Sequence, residues 1–247
     1  MSTATMIEPH ALTQEKPRLI LTHGEKGGVG KTTVARVIAD YLLAKNIRYR
    51  GYDAEGRTGQ LLRFYGNVTQ AIDVTDAASV APVLDNLMDA SGSNLALVDL
   101  GARSGAEVKS WLYRGGALEE AVEGRLGLTV VYVIGNAVDS VGHLKECFTA
   151  LGPQMNYVLA RNLGVASRFD IYDGSHIRTE ILNNGGREIT IPALDPVVFQ
   201  SVDKASVSFN DFADNRGGSF SYTERRYCRT WLRECFVALD AVEDLLK

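Results

Sequence analysis

Short apolar runs alternate with amphipathic stretches along this chain. The apolar runs have strand character and cover residues 18–23, 48–53, 94–100, 128–134, 156–160 and 188–191. The stretches predicted to be helices cover residues 31–45, 79–90, 106–123, 139–151, 195–205 and 222–246. Strands that alternate with helices predict an α/β fold, with one doubly wound, mostly parallel sheet and helices on both faces.

The predicted elements form one domain. No segment has the composition of a linker that would divide the 247 residues. A chain of this length buries about 70–75% of its unfolded surface, which is enough for a single core. Residues 18–247 are therefore predicted to be one domain, and residues 1–17 a flexible, polar N-terminal extension.

Composition narrows the class of protein further. Three cysteines cannot form a disulfide framework, which points to a reducing compartment. No apolar run reaches the ~18 residues of a membrane-spanning helix, and residues 1–17 lack the apolar core of a signal peptide. The expected location is the cytoplasm. A net charge of −4 disfavours a broadly basic nucleic-acid coat but leaves room for a local basic patch.

The strongest candidate for chemistry is a glycine-rich segment from Gly24 to Thr33, between a predicted strand and a predicted helix. Glycines allow backbone amides to turn inward around phosphate oxygens, and a helix start adds partial positive charge. In such a loop Lys31 reaches the outer phosphates and the Thr32 hydroxyl binds Mg²⁺. The residues predicted to contact the nucleotide here are Gly27, Gly28, Val29, Gly30, Lys31, Thr32 and Thr33.

The order Lys26-Gly27-Gly28-x-Gly30-Lys31-Thr32 resembles the deviant Walker A loop of the ParA/MinD family of ATPases. Glu25 stands at the usual first glycine, and Lys26 adds a second lysine. The resemblance implies a P-loop NTPase fold, ATP/ADP and Mg²⁺ as cofactors, and a homodimer formed around two ATP molecules. It also implies that Lys26 reaches across the dimer to the nucleotide of the partner subunit. Lys26 and Lys31 are thus candidate catalytic residues of an ATPase expected to be weak without a partner.

Two acids are candidates to accompany the loop. Asp99 ends an apolar strand, where the resemblance places the Walker B carboxylate that holds the metal. Asp53 aligns with the second acid of the family's Asp-x-Asp-Pro-Gln-Gly-Asn segment, which implies that it lies near Mg²⁺ and orients the attacking water. Gly51 replaces the first acid of that segment, and Ala54 and Glu55 replace its Pro and Gln. The expected metal-site residues are Thr32, Asp53 and Asp99.

For recognition of the base, the resemblance suggests Asn162 and Pro192. Asn162 follows a predicted strand, and its amide can donate to and accept from the edge of adenine at once. The pair Ile191-Pro192 resembles the family segment whose backbone lines the base. The sequence after Arg161 lacks the fuller Asn-Lys-x-Asp set of guanine-selective relatives, so ATP is favoured over GTP.

The last predicted helix combines an apolar stripe with arginines on one face. The arginines are Arg225, Arg226, Arg229 and Arg233. ParA-like ATPases bind DNA non-specifically through such surface residues, and each phosphate contact adds salt-dependent affinity. The alternative is a solvated face that pairs with Glu224 and Glu234. The chain ends in an acidic segment, residues 240–247, so we expect no membrane anchor.

These features predict an ATPase that dimerises on ATP and positions or segregates a cargo. Plasmid DNA is the first candidate, in partition, stability or conjugative transfer, with an unidentified adaptor or cargo protein as partner and possible association with the nucleoid. One alternative is a regulatory ATPase of a membrane-associated machine for secretion or polar placement. Another is a nucleotide-binding scaffold with little turnover, because Gly51, Ala54 and Glu55 depart from the family pattern.

Overall fold

The computed structural model describes residues 16–24, 27–89, 93–102, 104–135 and 137–247. The strands are β1 (Arg18–His23), β2 (Arg50–Asp53), β3 (Thr69–Ala71), β4 (Leu95–Asp99), β5 (Gly127–Ile134), β6 (Asn156–Asn162) and β7 (Arg187–Ile191). They form one seven-stranded sheet in the order β3-β2-β4-β1-β5-β6-β7, and every pairing is parallel.

Helices connect the strands and cover both faces of the sheet. In the described part of the chain they are α1 (Lys31–Ala44), α2 (Gln60–Phe64), α3 (Ala77–Met88), α4 (Gly105–Arg114), α5 (Ala117–Val122), α6 (Val138–Leu151), α7 (Asp170–Asp173), α8 (His176–Asn183), α9 (Pro196–Ala205), α10 (Phe209–Ala213), α11 (Tyr222–Asp240) and α12 (Glu243–Leu246). No helix among the described residues has the length and apolar character needed to cross a membrane.

The sheet separates two hydrophobic cores. Along β1, Ile20 packs into the core formed with α1, α2 and α9–α12, whereas Leu19 and Leu21 pack into the core formed with α3–α8. Alternate side chains of a strand point to opposite faces, so a strand buried on both sides must be apolar at every position. The doubly wound α/β fold predicted from the sequence is confirmed, and the sheet is parallel throughout.

Two predicted helices are each divided in the structure. The helix predicted over 106–123 is α4 followed by α5, because Gly116 adopts a φ of 72°, in the left-handed region that ends a helix. The helix predicted over 222–246 ends at Asp240, and α12 follows it. The predicted apolar stripe of that last helix is confirmed, since its side chains are buried against the sheet.

A buried arginine joins α1 to two other helices. The guanidinium carbon of Arg36 lies 3.4 Å from the ring centroid of Phe64 in α2 and 4.2 Å from that of Phe209 in α10. Asp40, one turn further along α1 and fully buried, accepts a hydrogen bond from the backbone N–H of Asn210 at 3.3 Å. The stacked guanidinium and this hydrogen bond fix α1, α2 and α10 relative to one another.

Parallel strands bring all their carboxyl ends to one edge of the sheet. The strand ends that meet there include His23 of β1, Asp53 of β2, Asp99 of β4 and Asn162 of β6. Asp53 and Asp99 are register partners on neighbouring strands. Ligands of open α/β sheets bind at this edge, so the candidate residues lie where the fold favours a site.

Candidate functional site

The glycine loop connects the carboxyl end of β1 to the first turn of α1. Gly28 and Gly30 have φ values of 81° and 86°, a conformation that residues with a Cβ rarely adopt. Gly30 is the N-cap of α1, so Lys31, Thr32 and Thr33 form its first turn. The backbone N–H groups of a first helical turn have no partner within the helix and attract anions.

Lys31 places a buried positive charge at this end of the loop. Its side chain is only 5% exposed, next to His23 at the end of β1. Burial and the charge of Lys31 together lower the pKa of His23 to about 4, so the imidazole is neutral at physiological pH. Lys26 and Glu25 lie outside the described residues, so the role expected of Lys26 stays a prediction.

A cavity of about 510 Å³ opens beside the loop. At one end it is lined by the loop glycines and by Lys31, Thr32 and Thr33. At the other end its lining is mostly apolar and comes from the second half of the chain, namely Val165, Pro192, Leu194, Pro196, Phe199 and Trp231. A cavity with one cationic, amide-rich end and one apolar end matches a molecule that has phosphates at one end and a flat ring at the other.

Asp99 has one carboxylate oxygen without a partner. Thr22 donates its hydroxyl to Oδ1 at 2.9 Å, whereas Oδ2 is buried and has no hydrogen-bond partner. Burial raises the pKa of Asp99 to about 7, and the hydroxyls of Thr32 and Thr22 oppose that rise. Oxygen donors of this kind, a carboxylate with a neighbouring threonine hydroxyl, fit Mg²⁺. Among the described residues, this site included, no three or more His, Cys, Asp or Glu side chains are grouped so that they could hold a metal ion.

Asp53 is turned away from the cavity. Its side chain is fully buried, with Oδ1 accepting the N–H of Glu55 at 3.0 Å and Oδ2 accepting the N–H of Leu62 at 2.9 Å. A Cβ at Gly59 would overlap this carboxylate. Burial raises the pKa of Asp53, and the two backbone N–H groups oppose that rise. Asp53 thus holds the segment 54–59 and the start of α2, while its contact with water or metal stays a prediction.

Glu55 is the acid of this segment that faces the cavity. Its side chain is exposed and lines the cavity together with Thr32 and Thr33. The nearest atom to a Cβ placed on Gly101, in the loop after Asp99, would be the Cγ of Glu55 at 3.7 Å. After burial, the charges of Asp53 and, to a smaller extent, Glu55 also raise the pKa of Asp99. In the sequence, Glu55 is an acid two residues after Asp53. It stands where the family pattern has a glutamine, so the pattern did not identify it as a site residue.

Asn162 braces the glycine loop. Its Nδ2 donates to the backbone oxygen of Val29 at 3.3 Å, and its Oδ1 accepts the N–H of Gly164 at 3.0 Å. A Cβ on Gly30 would overlap the same amide nitrogen, so the loop approaches Asn162 as closely as glycine permits. Asn162 also lines the cavity. One amide hydrogen and one lone pair remain for a ligand, and base recognition by Asn162 stays a prediction.

Trp231 closes the apolar end of the cavity and was not predicted as a site residue. Its Nε1 donates to the carbonyl of Pro192 at 2.7 Å, which ties α11 to the segment after β7. Its ring packs edge-on against Phe209, with centroids 4.7 Å apart. In the sequence Trp231 belongs to the apolar stripe of the last helix, and only the tertiary fold brings it to the loop.

The four arginines of α11 differ in their surroundings. Arg226 and Arg233 are exposed. Arg229 donates to the carboxylate of Asp214 at 2.8 Å, and the guanidinium carbon of Arg225 lies 5.8 Å from the ring centroid of Tyr222. Contact of these side chains with DNA stays a prediction.

Known proteins resemble this chain to different degrees. No family model matches it. Protein MobD of Acidithiobacillus ferrooxidans is 28% identical over 178 residues, which is 70% of this chain and 77% of that protein.

Three solved structures share the architecture. The septum site-determining protein MinD of Pyrococcus horikoshii, complexed with Mg-ADP, has a TM-score of 0.55 at 12% identity, covering 93% of this chain and 98% of that one. MinD of Aquifex aeolicus has a TM-score of 0.53 at 14% identity over 91% and 97% of the two chains. The MinC:MinD complex of Aquifex aeolicus gives 0.50 at 15% identity over 88% and 94%. The all-parallel seven-stranded sheet, with its glycine loop after the first strand, is thus the P-loop NTPase fold of MinD.

Proposed function

We propose that this protein is a Mg²⁺-dependent ATPase that dimerises when it binds ATP and positions or segregates a cargo, plasmid DNA in the first instance. The observation that carries the proposal is the cavity beside the glycine loop, with its cationic phosphate end and its apolar base end. The MinD structure with Mg-ADP supports it, because a protein of this fold holds that ligand.

Each residue of the cavity has a task that its surroundings explain. The N–H groups of the first turn of α1 bind phosphate oxygens, and the ammonium of Lys31 neutralises the outer phosphates. The Thr32 hydroxyl and the unpartnered oxygen of Asp99 hold Mg²⁺, which neutralises phosphate charge when bound. Trp231 and the backbone at Pro192 enclose the base.

The acid that faces the attacking water is proposed to be Glu55, with Asp53 as the residue that positions it. Asp53 fixes the backbone N–H of Glu55, while Glu55 itself lines the phosphate end of the cavity. This division of roles departs from the expectation that Asp53 orients water directly, and the two assignments differ in the activity they predict for a Glu55 variant.

Turnover separates these assignments. Glu55→Gln is expected to slow ATP hydrolysis at least tenfold while ATP affinity and the melting temperature stay near wild type, because the exposed side chain supports no packing. Asp53→Asn is expected to lower kcat with an unchanged KM for ATP, and also to lower the melting temperature, because both oxygens hold backbone groups. If Glu55→Gln hydrolyses ATP normally and Asp53→Asn does not, the water-facing role returns to Asp53.

The dimer is tested by the two loop lysines. Lys31→Ala is expected to abolish ATP binding, because the buried ammonium at the phosphate end is lost. Lys26→Ala is expected to bind ATP and remain a monomer. Titration with a fluorescent ATP analogue measures binding, and light scattering with and without a slowly hydrolysed ATP analogue measures dimerisation, with the exposed Lys109→Ala as the matched control. A wild-type protein that stays monomeric in both conditions removes the ATP-dependent dimer.

A nucleotide-binding scaffold with little turnover is the second candidate. It is favoured by the carboxylate of Asp53, both oxygens of which are occupied by backbone N–H groups. ATP binding that saturates normally, with hydrolysis no faster than that of Lys31→Ala, would establish the scaffold and exclude the ATPase.

A further inference from the structure

A basic groove lies at the amino-terminal edge of the sheet, opposite the glycine loop. It consists of two adjoining cavities of about 390 and 720 Å³ that cross the starts of β1, β4 and β2. The six residues of β1 separate this groove from the glycine loop by about 17 Å. A molecule bound in the groove would therefore leave the cavity beside the glycine loop accessible.

Cations dominate the lining of this basic groove. No aspartate or glutamate is among the described residues that line it, although the whole chain carries a net charge of −4. The groove is thus a local exception to the overall charge, and it attracts anionic groups. The lining cations are Lys16, Arg18, Arg48, Arg50 and Lys247.

Several polar groups of the lining lack partners within the described part of the chain. Lys16, Arg48 and Arg50 form no ion pair with any described residue. The Nε of Arg18 and the hydroxyl of Tyr49 are buried without a hydrogen-bond partner, which is costly for a donor. Like charges held together repel, so anionic acceptors in the groove would relieve this repulsion.

Aliphatic side chains stand among these cations. Leu43 is 43% exposed, and Ile47 and Val68 are partly exposed in the walls of the same cavity. Exposed apolar surface is stabilised when an apolar group of a ligand covers it. The groove therefore fits a ligand that carries both negative charge and apolar groups.

The spacing of the cations matches an extended peptide. Arg18 and Arg50 begin strands on either side of β4, so their backbones are about 10 Å apart, which about three residues of an extended chain cover. Guanidinium groups bind carboxylates in bidentate geometry, with stronger hydrogen bonds than those between neutral groups. An acidic peptide with aliphatic side chains would supply both the charged and the apolar contacts.

Other polyanions fit the groove less well. Duplex DNA is a stiff rod with phosphates on a convex surface, whereas these cations line concave walls. Insertion into an anionic membrane requires several exposed apolar side chains. Leu43 is the one strongly exposed large apolar residue among the lining residues that the structure describes, which disfavours a membrane.

We propose that this basic groove is the docking site for an acidic, extended segment of a partner protein that carries aliphatic residues between its carboxylates. The cations of the lining select the acidic residues, and Leu43, Ile47 and Val68 receive the aliphatic ones. Because the groove lies at the edge of the sheet opposite the glycine loop, docking occurs with and without bound nucleotide. The inference goes beyond the proposed function and does not depend on ATP hydrolysis.

Fluorescence anisotropy tests the proposal with a labelled peptide composed of glutamate, leucine and serine. Two matched peptides replace every glutamate by glutamine or every leucine by serine. The groove variant is Lys16→Ala/Arg48→Ala, which removes two exposed side chains, and Arg48→Glu reverses one charge. Lys247 is left in place because it lies 3.0 Å from Glu243.

Two control proteins remove cations from other parts of the surface. Lys109→Ala/Lys145→Ala removes exposed side chains from α4 and α6, and Arg226→Ala/Arg233→Ala removes them from α11. Every protein is measured with and without Mg²⁺ and a slowly hydrolysed ATP analogue. Melting curves and ATP-analogue titrations are run on every variant, and a DNA duplex is tested on the wild type and the groove variant.

If the proposal holds, the wild type binds the acidic peptide at least about tenfold more tightly than either matched peptide, because charge-assisted hydrogen bonds and apolar contacts are both used. The groove variant and Arg48→Glu then lose about tenfold or more in affinity. Both control proteins keep the wild-type affinity, and so does the wild type with the ATP analogue.

The opposite results overturn the proposal. They are a wild-type affinity in both groove variants, equal binding of the glutamine peptide, or a loss confined to Arg226→Ala/Arg233→Ala. Binding of the duplex but not of the peptide by the wild type, lost in the groove variant, overturns it in favour of nucleic acid. A normal ATP-analogue titration alongside any of these failures leaves the ATPase proposal standing.

Discussion

Gly30 is the residue on which the geometry of the loop depends. Its φ of 86° and its contact with the amide of Asn162 both exclude a side chain. Many glycines in this chain occupy turns where only the backbone angle matters, but at Gly30 the angle and the close approach act together. Substitution of Gly30 is therefore expected to affect function as well as stability.

Gly30→Ala is expected to weaken ATP binding at least tenfold, because the new methyl group displaces Asn162 and alanine occupies the left-handed region at a cost of about 1–2 kcal/mol. A fluorescent ATP analogue measures the affinity. Gly185→Ala is the matched control, since Gly185 has a φ of 88° with open space around it. The control should lose similar stability and bind the analogue normally; equal affinities in the two variants would contradict this role of Gly30.

The sequence indicated some residues of the site and missed others for a physical reason. Lys31 and Thr32 are set by a local loop, so their neighbours in the chain determine their position. The orientation of Asp53 is determined by the N–H of Leu62, nine residues away in a helix that the pattern did not predict. Glu55 lines the cavity whereas Asp53 bonds to backbone N–H groups, and no local pattern could separate these two acids.

At the scale of elements, β6 and β7 are joined by a cluster around Glu188. Its carboxylate accepts hydrogen bonds from Tyr172 at 2.7 Å, Arg161 at 3.0 Å and Arg178 at 2.6 Å. Burial alone would raise the pKa of Glu188, but these three donors outweigh it and lower the pKa to about 2. The cluster thereby holds α7 and α8 on the edge of the sheet near Asn162.

Glu188→Gln is expected to reduce the free energy of unfolding by about 1–2 kcal/mol at pH 7, because two arginines lose a charged acceptor at a partly exposed site. The pKa of Glu188 is lower in the folded state than its ordinary value of 4.5, so the stabilisation is complete above that value and disappears as the pH falls towards 2. Urea unfolding at pH 7, 4 and 2.5 measures it.

The control for this experiment is Glu120→Gln, which breaks an exposed pair with Arg125 and should change stability by less than about 0.5 kcal/mol. A difference between wild type and Glu188→Gln that does not shrink in acid would show that the cluster is held by packing rather than by charge.

Long elements were predictable and short ones were not. The strands β1 and β5 are apolar throughout and α1 repeats its apolar positions over 14 residues, so their patterns alone identify them. α2 has five residues and β3 has three, too few for a period to be recognised. Both exist because of tertiary contacts, the carboxylate of Asp53 at the start of α2 and the pairing of β3 with β2.

At the scale of the whole molecule, α11, near the end of the chain, and the glycine loop, near its beginning, line one cavity. Gly30 and Trp231 of α11 are about 200 residues apart in the sequence, yet both line the same cavity. The sequence predicted a long amphipathic helix at this position, but not that its apolar stripe would contribute a wall to the cavity. This contact depends on the tertiary packing of α11 against the sheet.

The two tryptophans allow ligand binding beside Trp231 to be followed by fluorescence. A Trp111→Phe protein retains Trp231, and its emission is expected to change on addition of ATP and Mg²⁺, because the ring borders the cavity. A Trp231→Phe protein retains Trp111 in α4, outside the cavity lining, and its emission should stay constant. A nucleotide-dependent change that survives in Trp231→Phe would place the base elsewhere.

The stacked Arg36 helps to hold residues 54–59, the segment that carries Glu55. Phe64 is held against this guanidinium, which anchors α2 just beyond residues 54–59. Asp53 fixes the other end of that segment. The segment that carries Glu55 is therefore held at both of its ends. Loosening the stack is thus expected to misplace Glu55 and slow turnover, from a side chain that lies outside the cavity lining.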